Sequence, residues 1–246
     1  MQHFKYENFV DHYKALGLVL GQNIVCHSSL FSFGKCSAED AVEALISVVG
    51  KAATIAAPAY HFEKTPFDIL NPNFTGVGKF SQILFKMDGS VRSKCPVHSH
   101  VAIGPKAGGL LENNSEYSFG HKSDFDWFLK NDFDLILLGC SFSRGATYLH
   151  HIETLMQVPY RKWVSSPKQC LIAGETKIVD FKYFARSDTS FHEDFNKIPA
   201  AMKEELKIVQ TPFGRSYRVS LKKLTDFVMN RISLDPYFLV KKNEDN

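Results

Sequence analysis

The chain has 246 residues, 44% of them hydrophobic and 22% charged, values that fit one large globular domain with its own core. Lys plus Arg exceeds Asp plus Glu by only 29 − 26 = 3, which argues against a nucleic-acid footprint. No apolar run approaches the roughly 18 residues of a membrane span, and the N-terminus lacks the apolar stretch of a signal peptide, so a cytoplasmic location away from membranes is expected.

Residues 4–16 carry Phe4, Phe9, Tyr13 and Leu16 near helical spacing, with Gly17 to end the helix. Ile24 and Val25 read as a buried strand whose C-terminal edge is His27, Ser28 and Ser29. Ser37 is placed to cap a helix over 38–50, with Asp40 in its first turn and Gly50 at its close. TIAAPAY (54–60) is a second apolar strand. Residues 61–78 are turn-rich, a helix follows over 79–86, and VAI (101–103) is a short strand. Another helix fits 124–131. DLILLGC (134–140) is the strongest buried-strand signal, and a central strand of that kind delivers functional groups from its C-terminal end. A Gly-containing loop then leads into a helix. Residues 168–186 alternate apolar and polar types, predicting antiparallel strands around Gly174. Residues 194–209 and 220–232 read as helices, and the tail KKNEDN as frayed. The succession of strands and helices predicts an α/β fold: a mixed central sheet flanked by helices, with an antiparallel element in the C-terminal third.

Five cysteines occur, at positions 26, 36, 95, 140 and 170. An odd number without a CxxC pair points to neither a disulfide framework nor a zinc knuckle. His98, His100, His150 and His151 form two clusters, but no HExxH is present and no metal is expected. A serine hydrolase lacks its GxSxG elbow.

The segment from Thr147 to Glu153 is the most informative. On a helix, His150 and Glu153 lie three residues apart on one face. A carboxylate there can take the hydrogen of one ring nitrogen and leave the other as a base. Thr147 falls near the N-cap, where a hydroxyl and free N–H groups can meet an anion. A solvated His–Glu pair is equally compatible with that spacing. His27-Ser28-Ser29-Leu30 offers small residues at a strand end, which let a ligand approach the backbone or simply form a turn. Arg92 and Ser93, with His98 and Ser99 shortly after, would suit phosphate or amide groups.

Taken in order, HSSLFSFG (27–34), AVEALISVVG (41–50), FDILNP (67–72), RSKCPVHSHVAIGPKA (92–107), FGHKSDF (119–125), LILLGC (135–140), the TxxHxxE of 147–153 and VPYR (158–161) resemble the aminoglycoside 3-N-acetyltransferase family. The resemblance covers roughly residues 15–165. It implies an acetyl-CoA-dependent N-acetyltransferase that moves the acetyl group directly to an amine of an aminoglycoside or another amino sugar. It further implies a single domain, with residues 1–165 as the coenzyme-binding and catalytic core and 166–246 on the acceptor side. A homodimer is compatible with it. His150 matches the general base, Glu153 its orienting carboxylate, and Thr147 a residue that steadies the tetrahedral intermediate. His27, Ser28, Ser29 and Leu30 match the loop along the pantetheine arm, and Arg92, Ser93, His98 and Ser99 a second wall of the coenzyme site. Cys95 stands where the family has His. The net positive charge departs from the acidic balance that suits polycationic aminoglycosides; Glu175, Asp180 and Asp188 are candidate acceptor-side carboxylates. The alternatives are a coenzyme A-binding protein without transfer activity, another acyl donor, or a hydroxyl acceptor.

Overall fold

A computed structural model describes residues 3–113 and 116–243. Helix α1 (Tyr6–Ala15) leads into strand β1 (Ile24–Ser28), helix α2 (Ala38–Val49) and strand β2 (Ile55–Pro58). Ser37 caps α2 by accepting from the Asp40 N–H, and Gly50 closes it at φ 72°, as the sequence predicts. The two-residue strand β3 (Phe67–Asp68), helix α3 (Lys79–Phe85), strand β4 (Val91–Arg92) and strand β5 (His100–Ile103) follow. Then come α4 (Asp124–Lys130), β6 (Asp134–Leu138), the short α5 (Phe142–Gly145) and α6 (Tyr148–Met156).

The last third is rich in strands: β7 (Arg161–Ser165), β8 (Lys168–Ile172), β9 (Glu175–Val179), β10 (Lys182–Arg186) and β11 (Phe191–Glu193). After them come α7 (Ile198–Ala201), β12 (Lys207–Thr211), β13 (Gly214–Ser220), α8 (Leu221–Leu234) and β14 (Val240–Lys242). The expected hairpin at Gly174 is β8–β9, which turns through Ala173 at φ 52° and Gly174 at φ 83°. The helix expected over 194–209 is a correction. Only a 3-10 turn at Phe195–Lys197 and α7 are helical there. Residues from Lys207 pair instead with β13, Ile208 opposite Tyr217, so cross-strand packing overrides local helix propensity. In the tail, Lys241 and Lys242 belong to β14, and residues 244–246 lie outside the described residues.

The central sheet has seven strands in the order β12-β13-β6-β1-β2-β5-β4. β1 runs parallel to both β2 and β6, and the other neighbours are antiparallel. β1 connects through α2 to β2 on one side, while β6 lies on its other side, so the chain reverses its direction of travel across the sheet at β1. In open α/β sheets the crevice beyond the carboxyl ends of such strands is where ligands bind. Two cores cover the faces. One packs Phe9, Tyr13 and Leu45 of α1 and α2 against Ile24 and Ile136. The other packs Phe125, Phe128, Tyr148, Leu149 and Leu224 of α4, α6 and α8 against Leu135 and Leu137. Since β12, β13 and α8 complete this body, the segment after residue 165 serves the core as well as any acceptor.

Candidate active site

The sheet delivers its groups at the ends of β1 and β6. β1 ends in His27 and Ser28, and the Ser29 N–H donates to the Leu138 carbonyl of β6 at 2.8 Å. Beyond β6 the chain turns at Gly139 (φ 67°), where a Cβ would stand 2.6 Å from the Ser29 carbonyl oxygen and 2.9 Å from the Phe33 ring. Only glycine fits so close an approach. The path continues through α5 to Thr147, the N-cap of α6, whose hydroxyl makes no capping bond. His27, Ser28, Ser29, Pro58, Tyr60, Gly78, Arg144 and Thr147 are thereby gathered around a cavity of about 240 Å³.

Two buried polar atoms in this lining lack a well-formed hydrogen bond: His27 Nε2, and the Tyr60 hydroxyl, which has Thr147 as a polar neighbour. Burial, reinforced by nearby His100, lowers His27 to about 3, so its ring is neutral. Burial raises the Tyr60 phenol well above its ordinary range, so it remains a hydrogen donor. Buried polar atoms without a full bond are costly in a folded chain, and a water or a ligand in the cavity can complete their bonding.

One helical turn beyond Thr147, His150 Nδ1 meets Glu153 Oε2 at 2.6 Å. Glu153 is fully buried, and His150 keeps 22% of its side chain exposed. The Tyr160 hydroxyl donates to Glu153 Oε1 at 2.8 Å. Arg161 Nε approaches Oε2 to 2.8 Å as an ion pair. Burial alone would raise the Glu153 carboxyl. The hydrogen bond and charge of His150, the Arg161 guanidinium and the Tyr160 bond outweigh it and hold the carboxyl below its ordinary value. An ionised carboxylate facing Nδ1 favours the tautomer with hydrogen on Nδ1, which leaves the Nε2 lone pair available. The rings of Phe119 and Phe195 flank His150 at 5.6 and 5.3 Å.

The expected second wall is turned inward. Arg92 is 3% exposed, and its guanidinium donates to Ser99 Oγ and to the carbonyls of Ala59, Asp68 and Asn71. Its burial, only partly offset by Asp68 and Cys95, lowers it to about 10. Ser99 Oγ donates to the Ala59 carbonyl at 2.5 Å, and Ser93 Oγ donates to Asp124. Arg92 and Ser99 thus hold Ala59, just beyond β2, and Arg92 also holds Asp68 and Asn71 around β3, while Ser93 ties this wall to α4. His98 bonds Ser118 Oγ through Nδ1 at 2.6 Å and lies edge-on to Tyr60. Cys95, where the family has His, is buried and accepts the His98 N–H at 3.3 Å. Leu30 lines an adjoining cavity with Phe31, Lys79 and Phe213. A larger cavity of about 730 Å³ shares Ser29, Cys140 and Arg144 with the first and adds Asn196, Lys203 and Arg215. Among the described residues no group of three or more His, Cys, Asp and Glu side chains could hold a metal ion.

Tyr60, Arg144, Tyr160 and Arg161 carry no role in the sequence reading. Tyr160 and Arg161 stood within the VPYR motif, so a signal was present without a geometry to interpret it.

The sequence model of the aminoglycoside 3-N-acetyltransferase family matches residues 25–233, the greater part of the chain. The chain belongs to this family. An aminoglycoside N(3)-acetyltransferase III of Salmonella sp is 29% identical over 175 residues, covering 62% of this chain and 61% of that protein. The chain thus matches about three fifths of the length of that relative. The YokD protein of Bacillus subtilis (strain 168), an SPbeta prophage-derived aminoglycoside N(3')-acetyltransferase-like protein, is 25% identical and covers 90% of this chain and 89% of its own. Crystalline AAC(3)-Xa superposes with a TM-score of 0.83 at 20% identity, covering 93% of this chain and 92% of its own. AAC-IIIb in binary complex with CoASH gives 0.82 at 19% identity, covering 95% and 97%. At such identities these likenesses establish the fold. No helix among the described residues is long and apolar enough to cross a membrane.

Proposed function

We propose that this family member is an acetyl-CoA-dependent N-acetyltransferase acting on an amine of an amino sugar, with His150 as general base. The single observation that carries the proposal is the 2.6 Å contact of His150 Nδ1 with a fully buried, ionised Glu153, one turn beyond a threonine that opens onto a buried polar cavity.

Acetyl-CoA would supply the activated acyl group as a thioester. The residues fit it on two grounds. The cavity at Thr147 offers the Tyr60 hydroxyl and His27 Nε2, neither of which has a well-formed internal bond, and the adjoining larger cavity carries the cations Arg144, Lys203 and Arg215, which suit phosphates. Ser29 lines both cavities, and Ser28 lines the first. In this reading Arg92, Ser93 and Ser99 support the wall from within rather than touch the coenzyme.

An ammonium group is no nucleophile, so a base must first take its proton. His150 Nε2 takes it, and Glu153 stabilises the imidazolium that results. The amine lone pair then forms the new C–N bond. As negative charge gathers on the carbonyl oxygen, the Thr147 and Tyr60 hydroxyls donate to it. The C–S bond breaks, and the imidazolium returns a proton to the departing sulfur. The nitrogen that now bears the acetyl group gives up its extra proton to water, so the products are an amide, free thiol and one released proton.

The assay is thiol release from acetyl-CoA across a panel of amino sugars and aminoglycosides, with mass analysis of the acceptor. One acceptor gaining a single acetyl group, in step with thiol release, supports the reading. Tight binding of coenzyme A with no acetylated product from any amine defeats it.

A further inference from the structure

His150 Nδ1 has two suitors. Glu153 Oε2 lies 2.6 Å away and can only accept. Arg161 Nη2 lies 3.0 Å away and can only donate. The two partners demand opposite tautomers. With hydrogen on Nδ1 the ring bonds Glu153 and keeps Nε2 as a base. With the lone pair on Nδ1 the ring accepts from Arg161, Nε2 carries the hydrogen, and the base is lost. Arg161 itself is 7% exposed and held from several sides. Its Nη1 donates to the Phe184 carbonyl of β10 at 3.2 Å. Its Nη2 donates to Glu193 Oε1 of β11 at 3.2 Å. Its Nε meets the shared Glu153 Oε2 without an aligned N–H bond. Glu193 is in turn paired with Arg186 of β10 at 3.1 Å.

We propose that Arg161 is a positioning residue that sets the tautomer and proton affinity of the His150–Glu153 pair, and that Glu193 is the counter-charge that keeps Arg161 from capturing Nδ1. The proposal rests on the reading of His150 as the base. The remaining groups around the ring do not supply this control. His98, on the loop before β5, is held neutral by its burial at about 3. Tyr160 donates to the far carboxylate oxygen. Phe119 and Phe195 contribute only rings, and Asp194, beside Phe195, is paired with Lys197 at 3.7 Å. Arg161 is the one full positive charge in contact with the pair among the described residues.

The two charges predict opposite effects. Loss of Arg161 removes a cation that opposes protonation, so the pair takes a proton at higher pH. Loss of Glu193 leaves that cation uncompensated and frees Nη2 hydrogens for Nδ1. The pair then protonates at lower pH, and its neutral ring moves toward the Nε2–H tautomer.

The test is nitrogen-15 NMR of the imidazoles in the whole chain without ligand, titrated from pH 5 to pH 9, with the His150 signals assigned by their loss in His150→Gln. Arg161→Gln is expected to raise the His150 midpoint by about one unit and keep hydrogen on Nδ1. Arg161→Lys should stay within a few tenths of wild type, since the charge remains. Glu193→Gln should lower the midpoint and shift the ring nitrogens toward Nε2–H. An unchanged or lower midpoint in folded Arg161→Gln overturns the proposal. So does Glu193→Gln with wild-type midpoint and tautomer, and this variant decides alone if Arg161→Gln does not fold. The titration needs no acceptor, so an absence of turnover in the wild type would count against the function and leave the positioning role to be judged on the spectra.

Discussion

Mild acid should strongly destabilise this protein, because three fully or nearly buried imidazoles are neutral in the fold, and the half-buried His98 adds a smaller share. Burial lowers His12 from 6.5 to about 4, His27 to about 3 and His151 to about 4. His12 bonds Ser216 Oγ at 2.8 Å, and His151 Nδ1 accepts from the Gly120 N–H at 3.0 Å, neither of which is an anion. In the unfolded chain each ring binds a proton near pH 6.5, so the unfolded state gains protons first and stability falls as pH drops through that value. At pH 5 each site costs about 1.36 × 1.5, or ~2 kcal/mol, and the three together ~6 kcal/mol. That is comparable with the whole stability of a typical domain, about 5–15 kcal/mol, and corresponds to roughly 12–24 °C in melting temperature for a chain of this size. Glu153 adds to the loss only below the ordinary carboxylate range, since its folded value is lowered. Calorimetric melting between pH 7 and pH 5 measures the fall. His12→Gln should flatten it by about a third while keeping a partner for Ser216, which in turn accepts the Gly139 N–H. A melting temperature constant over that range, or a His12→Gln slope equal to wild type, would refute the reasoning.

Glu153→Gln keeps the side-chain shape but leaves Arg161 beside an uncharged partner. It should cost about 3–5 kcal/mol in denaturant unfolding and lower kcat by about 10²–10⁴. Tyr60→Phe removes a buried hydroxyl whose approach to Thr147 is not a well-formed hydrogen bond, so the fold should stay close to wild-type stability. Its kcat should fall about tenfold or more, and unaltered turnover would strike Tyr60 from the mechanism. Gly139→Ala must adopt φ 67° with a Cβ 2.6 Å from the Ser29 carbonyl. It should lose about 2–4 kcal/mol of stability and weaken coenzyme A binding in calorimetry, because the Ser29 loop has to move.

The parts of the fold with strong local signals were legible in the sequence. The Ser37 cap, the apolar run at 134–138 and the Gly174 turn each specify their element through chemistry within a few residues. β13 was missed because GRSYRVS has a polar surface in sequence. Its two apolar residues, Tyr217 and Val219, gain their burial only by lying against Leu137 and Leu135 of a strand some eighty residues earlier. The failed helix at 194–209 has the same cause, since β12 exists only as the partner of β13. In the site, the spacing from Thr147 to Glu153 placed three side chains correctly relative to one another because a helix is locally determined. Arg92 is the opposite case. A guanidinium in a motif looks like a ligand for an anion, and only the tertiary structure shows four internal acceptors already around it. The candidate acceptor-side carboxylates make only local contacts, Glu175 to Lys177 and Asp180 to Lys182 as exposed ion pairs and Asp188 to Ser190.

The most direct trial of the central claim is thiol release from acetyl-CoA by His150→Asn, measured beside calorimetric binding of coenzyme A. The account predicts binding near wild-type strength with turnover reduced by about 10²-fold or more. Wild-type turnover on a verified amine, with binding intact, would contradict it.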